Sequence, residues 1–468
     1  MTASRPCFRS FFALPCVVAA LSLGACGLFK DDAPPVAKQD ATPPPKMEEP
    51  TVADSTTGVS PGPVEKRYSL TQFPGAEGEP IKTSPPPPIA AGQVRIALLL
   101  PLSGRNAALG QSMLNAAQMA LFDLSDQRFE LLPYDTGGTP DGAAQASRYA
   151  IADGNSIILG PLLASSVLAA SPAAWTAKVP MVAFSSDREV AGNDVYVVGF
   201  TPATEVRRVV TFAQSQGLRR IAVLAPDNAY GRRVVTALEQ TVVADGGEVS
   251  AKALYDPRAI NFDEAIRKVA GPGGAARAAA AEGSTERDPG TETADTSVRE
   301  PDPDLPFDAL MIADGGKRLQ AIAGHLPLYG IEPTRVRVLG TGAWDEPGIG
   351  SEPSLVGGWY ASPPPNLRSA FEQQYSDVYR AKPHRLSTLA YDATALAVIL
   401  GQRGGEAGYT ADMLTDPKGF MGRDGLFRLD ANGIAERALA VMEVTREGAQ
   451  VISEPQTSFP PATAQFGY

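Results

Sequence analysis

The run VRIALLLPLSGRNAALGQSMLNAAQMAL, residues 94–121, contains the first strand and the first helix of the folded part of the chain. Its first seven residues are almost all apolar and end at Pro101-Leu102-Ser103-Gly104, which is typical of a strand buried in a parallel sheet. The Ala-rich part that follows places Met113, Ala117 and Leu121 on one helix face. The run therefore predicts a buried strand, a tight turn and an amphipathic helix.

The same strand-then-helix order is repeated along the chain. In the first series, strands are predicted at 129–134, 156–159 and 180–184, with helices at 142–152 and after Pro161. In the second series, a helix at 204–216 and a helix after Gly231 alternate with strands at 220–224, 251–255, 308–312 and 336–339. Strands that alternate with helices form βαβ units and parallel sheets. The predicted fold class is therefore α/β, with two doubly wound lobes, parallel sheets and a cleft between them.

Two segments differ from this pattern in composition. Residues 26–92 contain three proline runs and few aromatic residues, so they bury too little apolar area to offset the entropy of ordering. We predict that they form a disordered tether. Residues 272–305 are acidic and rich in Gly, Pro and Thr, and they are predicted to be a disordered surface insert within one lobe.

The N-terminal residues MTASRPCFRSFFALPCVVAALSLGAC (1–26) have the features of an export signal. Arg5 and Arg9 precede an apolar run that is too short for a convincing spanning helix. The run ends in Leu-Gly-Ala-Cys, which resembles the bacterial lipobox. We therefore predict a lipoprotein signal peptide at 1–25 and lipidation of Cys26. A soluble secretory signal with an incidental cysteine, or a plain membrane anchor, are the alternatives.

Position 27 is glycine, whereas by resemblance an aspartate there marks retention in the inner membrane. We therefore expect an anchor in the bacterial outer membrane that faces the periplasm. Loss of Arg5 and Arg9 with the signal changes the formal charge from −11 to −11 − 2 = −13. An acidic chain lacks the basic surface that nucleic-acid binding needs, so no nucleic-acid partner is expected.

Composition also excludes several kinds of catalytic and metal site. The three cysteines all lie at or before Cys26, and the two histidines, His325 and His384, are far apart in the sequence. A disulfide, a thiolate metal site or a multi-histidine centre is therefore not expected in the folded part. The one G-x-S-x-G string, residues 58–62, lies in the proline-rich tether and lacks the strand and helix of a nucleophile elbow. We predict a non-enzyme with no metal and no cofactor.

The order of motifs resembles the leucine-binding, type I periplasmic-binding-protein fold. The resemblance rests on the run LLLPLSGRNAALGQSMLNAAQMAL (98–121), on IILGPLLASSVLAASPAAWTAKVPMVAFSSD (157–187), on 227–231, on 389–393 and on the closing hairpin near 422–433. It implies a two-lobed domain at 93–452 and a C-terminal tail at 453–468. We expect lobe 1 at about 93–202 plus 330–400, and lobe 2 at about 203–329 plus 401–452.

The resemblance also suggests which residues contact a ligand in the interlobe cleft. In receptors of this fold, hydroxyl side chains at the strand ends hold a substrate carboxylate, and an acid in the other lobe holds the amine. This implies Ser165, Ser185 and Ser186 near the first role and Tyr230 at the edge of the second lobe, with Ser103 in the loop after the first strand. Trp344 is expected either to stack on a ligand or to pack in the cleft wall. Serine and tyrosine also cap helices and fill turns, which is the alternative for the other residues.

Within this fold, the lipobox, the tether, LLLPLSG and Gly160-Pro161-Leu162 are most similar to the penicillin-binding protein activator lipoproteins. That resemblance implies a periplasm-facing activator whose partner is a penicillin-binding protein, a peptidoglycan synthase. The alternative is the substrate-binding receptor of an ABC importer for a branched-chain amino acid or a similar small molecule. Its partner would be an ABC permease.

Overall fold

The computed structural model describes residues 92–125, 127–283 and 305–459, without the side chains of residues 280–283. The predicted signal peptide 1–25 and all of the predicted tether 26–92 except Gly92 lie outside the described residues, as do residues 460–468 of the predicted tail. Among the described residues, none of the helices is both long enough and apolar enough to cross a bilayer.

The first lobe is built on a five-stranded parallel sheet with the strand order β2-β1-β3-β4-β5. The apolar run that opens the domain is its central strand β1, in which every residue is buried. The elements of this part of the chain are β1 (Val94–Leu100), α1 (Ala107–Leu124), β2 (Phe129–Asp135), α2 (Pro140–Ala152), β3 (Ile157–Leu159), α3 (Ala164–Ala177), β4 (Met181–Ala183) and β5 (Val195–Val197).

The second lobe is built on a seven-stranded sheet with the strand order β15-β14-β10-β9-β8-β6-β7. Its five strands β6 to β10 are parallel, and the hairpin β14–β15 adds two antiparallel strands at the β10 edge. The elements before the hairpin are α4 (Pro202–Ser215), β6 (Arg220–Pro226), α5 (Ala229–Ala244), β7 (Glu248–Tyr255), α6 (Asp263–Gly283), β8 (Ala309–Ile312), α7 (Gly316–His325), β9 (Arg337–Gly340) and β10 (Trp359–Ser362).

The chain then returns to the first lobe before it closes the second sheet. Helix α9 contacts α1, and Phe420, Phe427 and Leu429 of a small antiparallel sheet are buried in the same core as β1. The elements of this return are α8 (Pro365–Tyr379), α9 (Ser387–Gly404), α10 (Ala411–Leu414), β11 (Phe420–Gly422), β12 (Gly425–Leu429) and β13 (Ala435–Arg437), followed by β14 (Ala440–Thr445) and β15 (Gly448–Ser453) in the second lobe. The chain therefore crosses between lobes at 198–201, 363–364 and 438–439.

The α/β class and two mainly parallel sheets expected from the sequence are confirmed, and the second sheet also contains the antiparallel hairpin β14–β15. The lobe boundaries differ from those expected. Residues 330–362 lie in the second lobe, because β9 and β10 continue the sheet of β8 and β6. Residues 401–437 lie in the first lobe, because Phe420 and Phe427 are buried against its core. The corrected lobes are 94–197 plus 365–437 and 202–362 plus 440–453.

Part of the segment predicted as a disordered insert is ordered. Helix α6 continues to Gly283 after a break at Gly271, where φ is +66° and Pro272 follows. Ala278 and Leu305 are 5% and 6% exposed in the core of the second lobe. The prediction of disorder for 272–283 is therefore wrong, because these residues carry small apolar side chains that the core can bury. Residues 284–304 lie outside the described residues.

Candidate functional site

The carboxyl ends of β1, β3 and β4 form one edge of the first lobe, because these strands are neighbours in the sheet. The loop after β1, which contains Ser103, is held by Asp135 at the end of β2. An oxygen of that carboxylate accepts the N–H groups of Leu102 at 2.9 Å, Ser103 at 3.1 Å and Gly137 at 2.7 Å. Ser103 is thus placed at the predicted edge. Its partner Asp135 was missed by the sequence analysis, although the residue directly follows a predicted strand.

Helix α3 begins at the same edge and has no side-chain cap at Leu163. The turn before it needs Gly160, which has φ +93°, since a Cβ there would lie 2.3 Å from the carbonyl oxygen of Leu99. In the first turn of α3, Ser165 is exposed whereas Ser166 is 2% exposed. The Ser166 hydroxyl has no hydrogen-bond partner among the described residues. The sequence predicts a ligand contact at Ser165, whereas the helical phase turns Ser166 toward the interior.

The loop after β4 contacts the second lobe through an ion pair. Ser185 is buried, and its hydroxyl accepts the N–H of Asp187 at 3.0 Å, whereas Ser186 is exposed. Asp187 caps a short 3-10 turn by accepting the N–H of Glu189, and it also forms an ion pair with Arg233 at 2.7 Å. Because Arg233 lies in α5 of the second lobe, this ion pair spans the cleft. Ser185 therefore has a structural role in the turn, and Ser186 is the hydroxyl that faces solvent.

In the second lobe, the ends of β6 and β9 are tied by a hydrogen bond of 2.7 Å between the hydroxyls of Tyr230 and Thr341. Burial is the main cause that raises the pKa of Tyr230, so the phenol stays protonated and can donate. Tyr230 therefore lies at the edge of the second lobe, as predicted. Thr341 was identified only as part of a strand-end loop.

Trp344 does not line a ligand site. Its indole is completely buried in the core of the second lobe, with its ring centroid 6.3 Å from that of Tyr360. A Cβ on Gly340 would lie within 2.2 Å of the indole, so the strand and the ring are in close contact. The prediction that Trp344 stacks on a ligand is therefore wrong. The run of glycines around it makes room for a core side chain.

Glu205 is the most electrostatically perturbed carboxyl near this edge. It lies in the first turn of α4, partly buried, and accepts the N–H of Gly342 at 3.0 Å. Burial raises its pKa to about 7, against the opposing effects of the Gly342 N–H and of Arg385. This residue was missed because an acidic residue in a first helical turn is common in sequences.

The two strand-end edges together offer hydroxyls, backbone N–H groups and one ion pair. Within the described residues there is no cluster of three or more His, Cys, Asp or Glu side chains that could hold a metal. The uncapped start of α3 can accept an anionic group, since the first N–H groups of a helix lack partners inside it. The arrangement can therefore bind a small polar molecule between the lobes.

Comparison with proteins of known structure agrees with this architecture. A leucine-binding protein from Thermotoga maritima is 20% identical, with a TM-score of 0.52, and covers 78% of this chain and 99% of its own. A periplasmic ligand-binding protein of a branched-chain amino acid ABC transporter from Burkholderia xenovorans is 16% identical, with a TM-score of 0.58. The match covers 78% of this chain and 96% of that protein. A substrate-binding protein of a branched-chain amino acid transporter from Streptococcus pneumoniae, solved in complex with isoleucine, is 16% identical, with a TM-score of 0.52. The match covers 77% of this chain and 99% of that protein. At these identities the likeness shows the fold.

A curated relative, an uncharacterized protein from Rickettsia prowazekii, is 20% identical over 177 residues. These residues are 38% of this chain and 47% of the relative, so the match spans about half of the relative's length. The model of the periplasmic binding protein family matches residues 93–449, which include both lobes. Because this match spans well over half of the sequence, the chain belongs to the periplasmic binding protein family.

Proposed function

We propose that this chain is the periplasmic substrate-binding receptor of an ABC importer and binds a branched-chain amino acid or a similar small molecule between its lobes. The observation that carries the proposal is the arrangement of the two strand-end edges. One edge presents the uncapped start of α3 and the exposed Ser186, and Asp187 of the same loop pairs with Arg233 of the other lobe. The neighbours of the same fold that bind leucine or isoleucine support this choice of ligand.

A thermal-shift screen over amino acids, amides and short peptides tests the proposal. A ligand at about 100 times its dissociation constant stabilises the folded state by about 2.7 kcal/mol. Ser186→Trp places a bulky ring at the proposed cleft surface and should abolish the shift. Ser215→Trp, at an exposed serine at the end of α4 in the second lobe, lies before β6 and not in a loop that follows a strand, and it should keep the shift. If no compound in the screen stabilises the protein, the receptor proposal is wrong.

The second candidate function is activation of a peptidoglycan synthase by a lipid-anchored protein with this fold. It is supported by the lipobox and tether of the sequence, and by one feature of the site. Several polar groups there already bond to each other, as Tyr230 does to Thr341 and Asp187 to Arg233, so few remain for an amino acid. Cross-linking in the intact envelope distinguishes the candidates. Recovery of a bifunctional penicillin-binding protein favours the activator, and recovery of permease subunits favours the receptor.

A further inference from the structure

Asp345 is a carboxylate of the second lobe that is held by two arginines of the first lobe. It lies in the loop after β9, next to the second crossover, where the Ser362 hydroxyl donates to it at 3.0 Å. Arg368 of α8 donates to the same carboxylate oxygen at 2.5 Å, and Arg385, just before α9, lies 3.9 Å from it. These four residues, Asp345, Ser362, Arg368 and Arg385, form what we call the interlobe clamp.

Both arginines of the clamp are also fixed within the first lobe. Arg368 donates through Nε to Glu372 at 2.9 Å. Arg385 donates to the fully buried Asp424 at 3.2 Å, and its guanidinium lies 4.6 Å from the ring centroid of Phe200. Because their other contacts orient them, the two guanidiniums present a preformed site to Asp345. The contacts with Arg368 and Arg385 therefore fix the position of the Asp345 carboxylate relative to the first lobe.

The clamp lies where the crossovers meet. Phe200, on which Arg385 stacks, belongs to the first crossover. Arg437, at the start of the third, donates to the Val198 carbonyl at 2.7 Å and lies 4.8 Å from the same Phe200 ring. The second crossover is Pro363-Pro364, followed by Pro365 of α8, and proline restricts φ at each position. The three crossovers are the pivot about which the lobes can rotate. An ion pair between the lobes at this pivot restricts the angle between them, because a small rotation there produces a larger displacement at the distant cleft surfaces.

The ion pair between Arg368 and Asp345 is partly buried, but ions in the solvent can still reach it. Arg368 and Asp345 are 22% and 25% exposed, so salt screens them less than it screens a fully exposed pair. A cavity of about 410 Å³ on this flank is lined by both residues together with Glu372, Lys382 and Glu447. Its walls come from both lobes. The charge pair therefore lies at an accessible boundary between the lobes.

We propose that Asp345 is a positioning residue that sets the interlobe angle, and that ligand affinity depends on it through that angle. The dependence of affinity rests on the proposed receptor function, whereas the effect on the angle does not. Loss of the Asp345 charge leaves Arg368 and Arg385 without their partner in the other lobe. The lobes then sample a wider range of angles, and fewer molecules have the geometry that binds ligand.

The test measures the distance between the lobes in the mature chain with Cys26→Ser, whose folded part has no other cysteine. Arg148→Cys in α2 and Gln240→Cys in α5, both at exposed positions, carry spin labels for pulsed electron resonance. Asp345→Asn should broaden the distance distribution, and Arg368→Gln should have the same effect. If the two residues act as one unit, the double variant broadens it no further than either single variant. Ligand affinity should fall about tenfold, which corresponds to about 1.4 kcal/mol.

The matched control is Glu239→Gln, which removes an ion pair of 2.7 Å with Lys252 inside the second lobe. Its distance distribution should equal that of the parent chain. An Asp345→Asn distribution that superimposes on the parent overturns the proposal. A broadened distribution with unchanged ligand affinity overturns its link to binding. Failure of the receptor proposal would appear separately, as a parent chain that binds no ligand while the distance measurement still responds to Asp345→Asn.

Discussion

At the scale of single residues, the burial of Glu205 predicts that the stability of the protein depends on pH. Its pKa of about 7 in the folded state lies above the value of about 4.3 expected in the unfolded chain. Between these values the folded state binds a proton that the unfolded state has lost. The free energy of unfolding therefore falls as the pH rises from about 4 to about 7, and the penalty is complete above that range.

Glu205→Gln should remove this penalty, because an amide carbonyl can still accept the Gly342 N–H at 3.0 Å. We expect the variant to be more stable than the wild type by about 1–2 kcal/mol at pH 8, after allowance for partial solvent screening. At pH 4.5 the two proteins should be equally stable. Urea unfolding at both pH values measures the difference. Glu248→Gln, at an exposed glutamate, is the control, and parallel pH profiles for Glu205→Gln and the wild type would contradict the prediction.

Residue-scale predictions from the sequence were correct about position along the chain and weaker about side-chain direction. Ser103 lies in the loop after β1, Ser185 and Ser186 lie in the loop after β4, and Ser165 lies in the first turn of α3 after β3. Ser165 and Ser166 differ by one step of about 100° around α3, and that step decides which is buried. Trp344 was misjudged because a tryptophan after a glycine-rich strand end suits both a cleft wall and a core.

At the scale of elements, most of the apolar strands were predictable, whereas sheet membership was not. β5 and β10, with 3 and 4 residues, were missed, although the equally short β3 and β4 were predicted from their apolar runs between a helix and a turn. The assignment of β9 to the second lobe depends on hydrogen bonds with β8 and β10. Such pairings join residues distant in sequence, so local composition carries no information about them.

The position of helix α6 predicts different effects for two deletions in the segment 272–305. Replacement of residues 284–304 by a flexible linker of about eight residues should change the free energy of unfolding by less than about 1 kcal/mol, because loop entropy varies slowly with length. Deletion of 272–305 also removes Ala278 and Leu305 from the core. Burial of a leucine side chain alone contributes about 1.5–3 kcal/mol, so this second variant should be destabilised by at least that amount.

Denaturant unfolding of the two deletion variants, compared with the full chain, measures both effects. The linker variant serves as the control for the larger deletion, because both lack the same 21 residues between 284 and 304. Equal stability of the two variants would mean that the second half of α6 contributes nothing to the core.

At the scale of the whole molecule, the family assignment and the two-lobed fold agree with the sequence, while the division into lobes needed the structure. A chain that crosses three times between lobes distributes each lobe over separate segments. The alternation of strands and helices in the sequence predicts the elements, but it does not indicate where the chain crosses from one lobe to the other. The predicted crossings at 330 and 401 therefore differ from those at 363–364 and 438–439, by 363 − 330 = 33 and 438 − 401 = 37 residues.

The last prediction concerns Cys26, which lies outside the described residues and follows Gly24-Ala25 at the end of the apolar run predicted to be an export signal. Acyl chains on this thiol would attach the protein to a membrane, with each buried CH₂ contributing about 0.8 kcal/mol. A chain cleaved at the predicted site would have a side-chain charge of −11 − 2 = −13, and this acidic chain would add no electrostatic attraction to anionic lipid. Attachment should therefore depend on the acyl chains alone.

Cys26→Ser should abolish incorporation of a palmitate analogue and move the protein out of the membrane fraction, or leave it as an uncleaved precursor. The matched control is Cys16→Ser, which changes another cysteine of the same segment and should leave labelling intact, since that residue is removed with the signal. Because the domain from residue 93 onward contains no cysteine, its thermal unfolding should be the same in both variants. A label that persists in Cys26→Ser, or that never appears in the wild type, would show that the protein is not anchored through this residue.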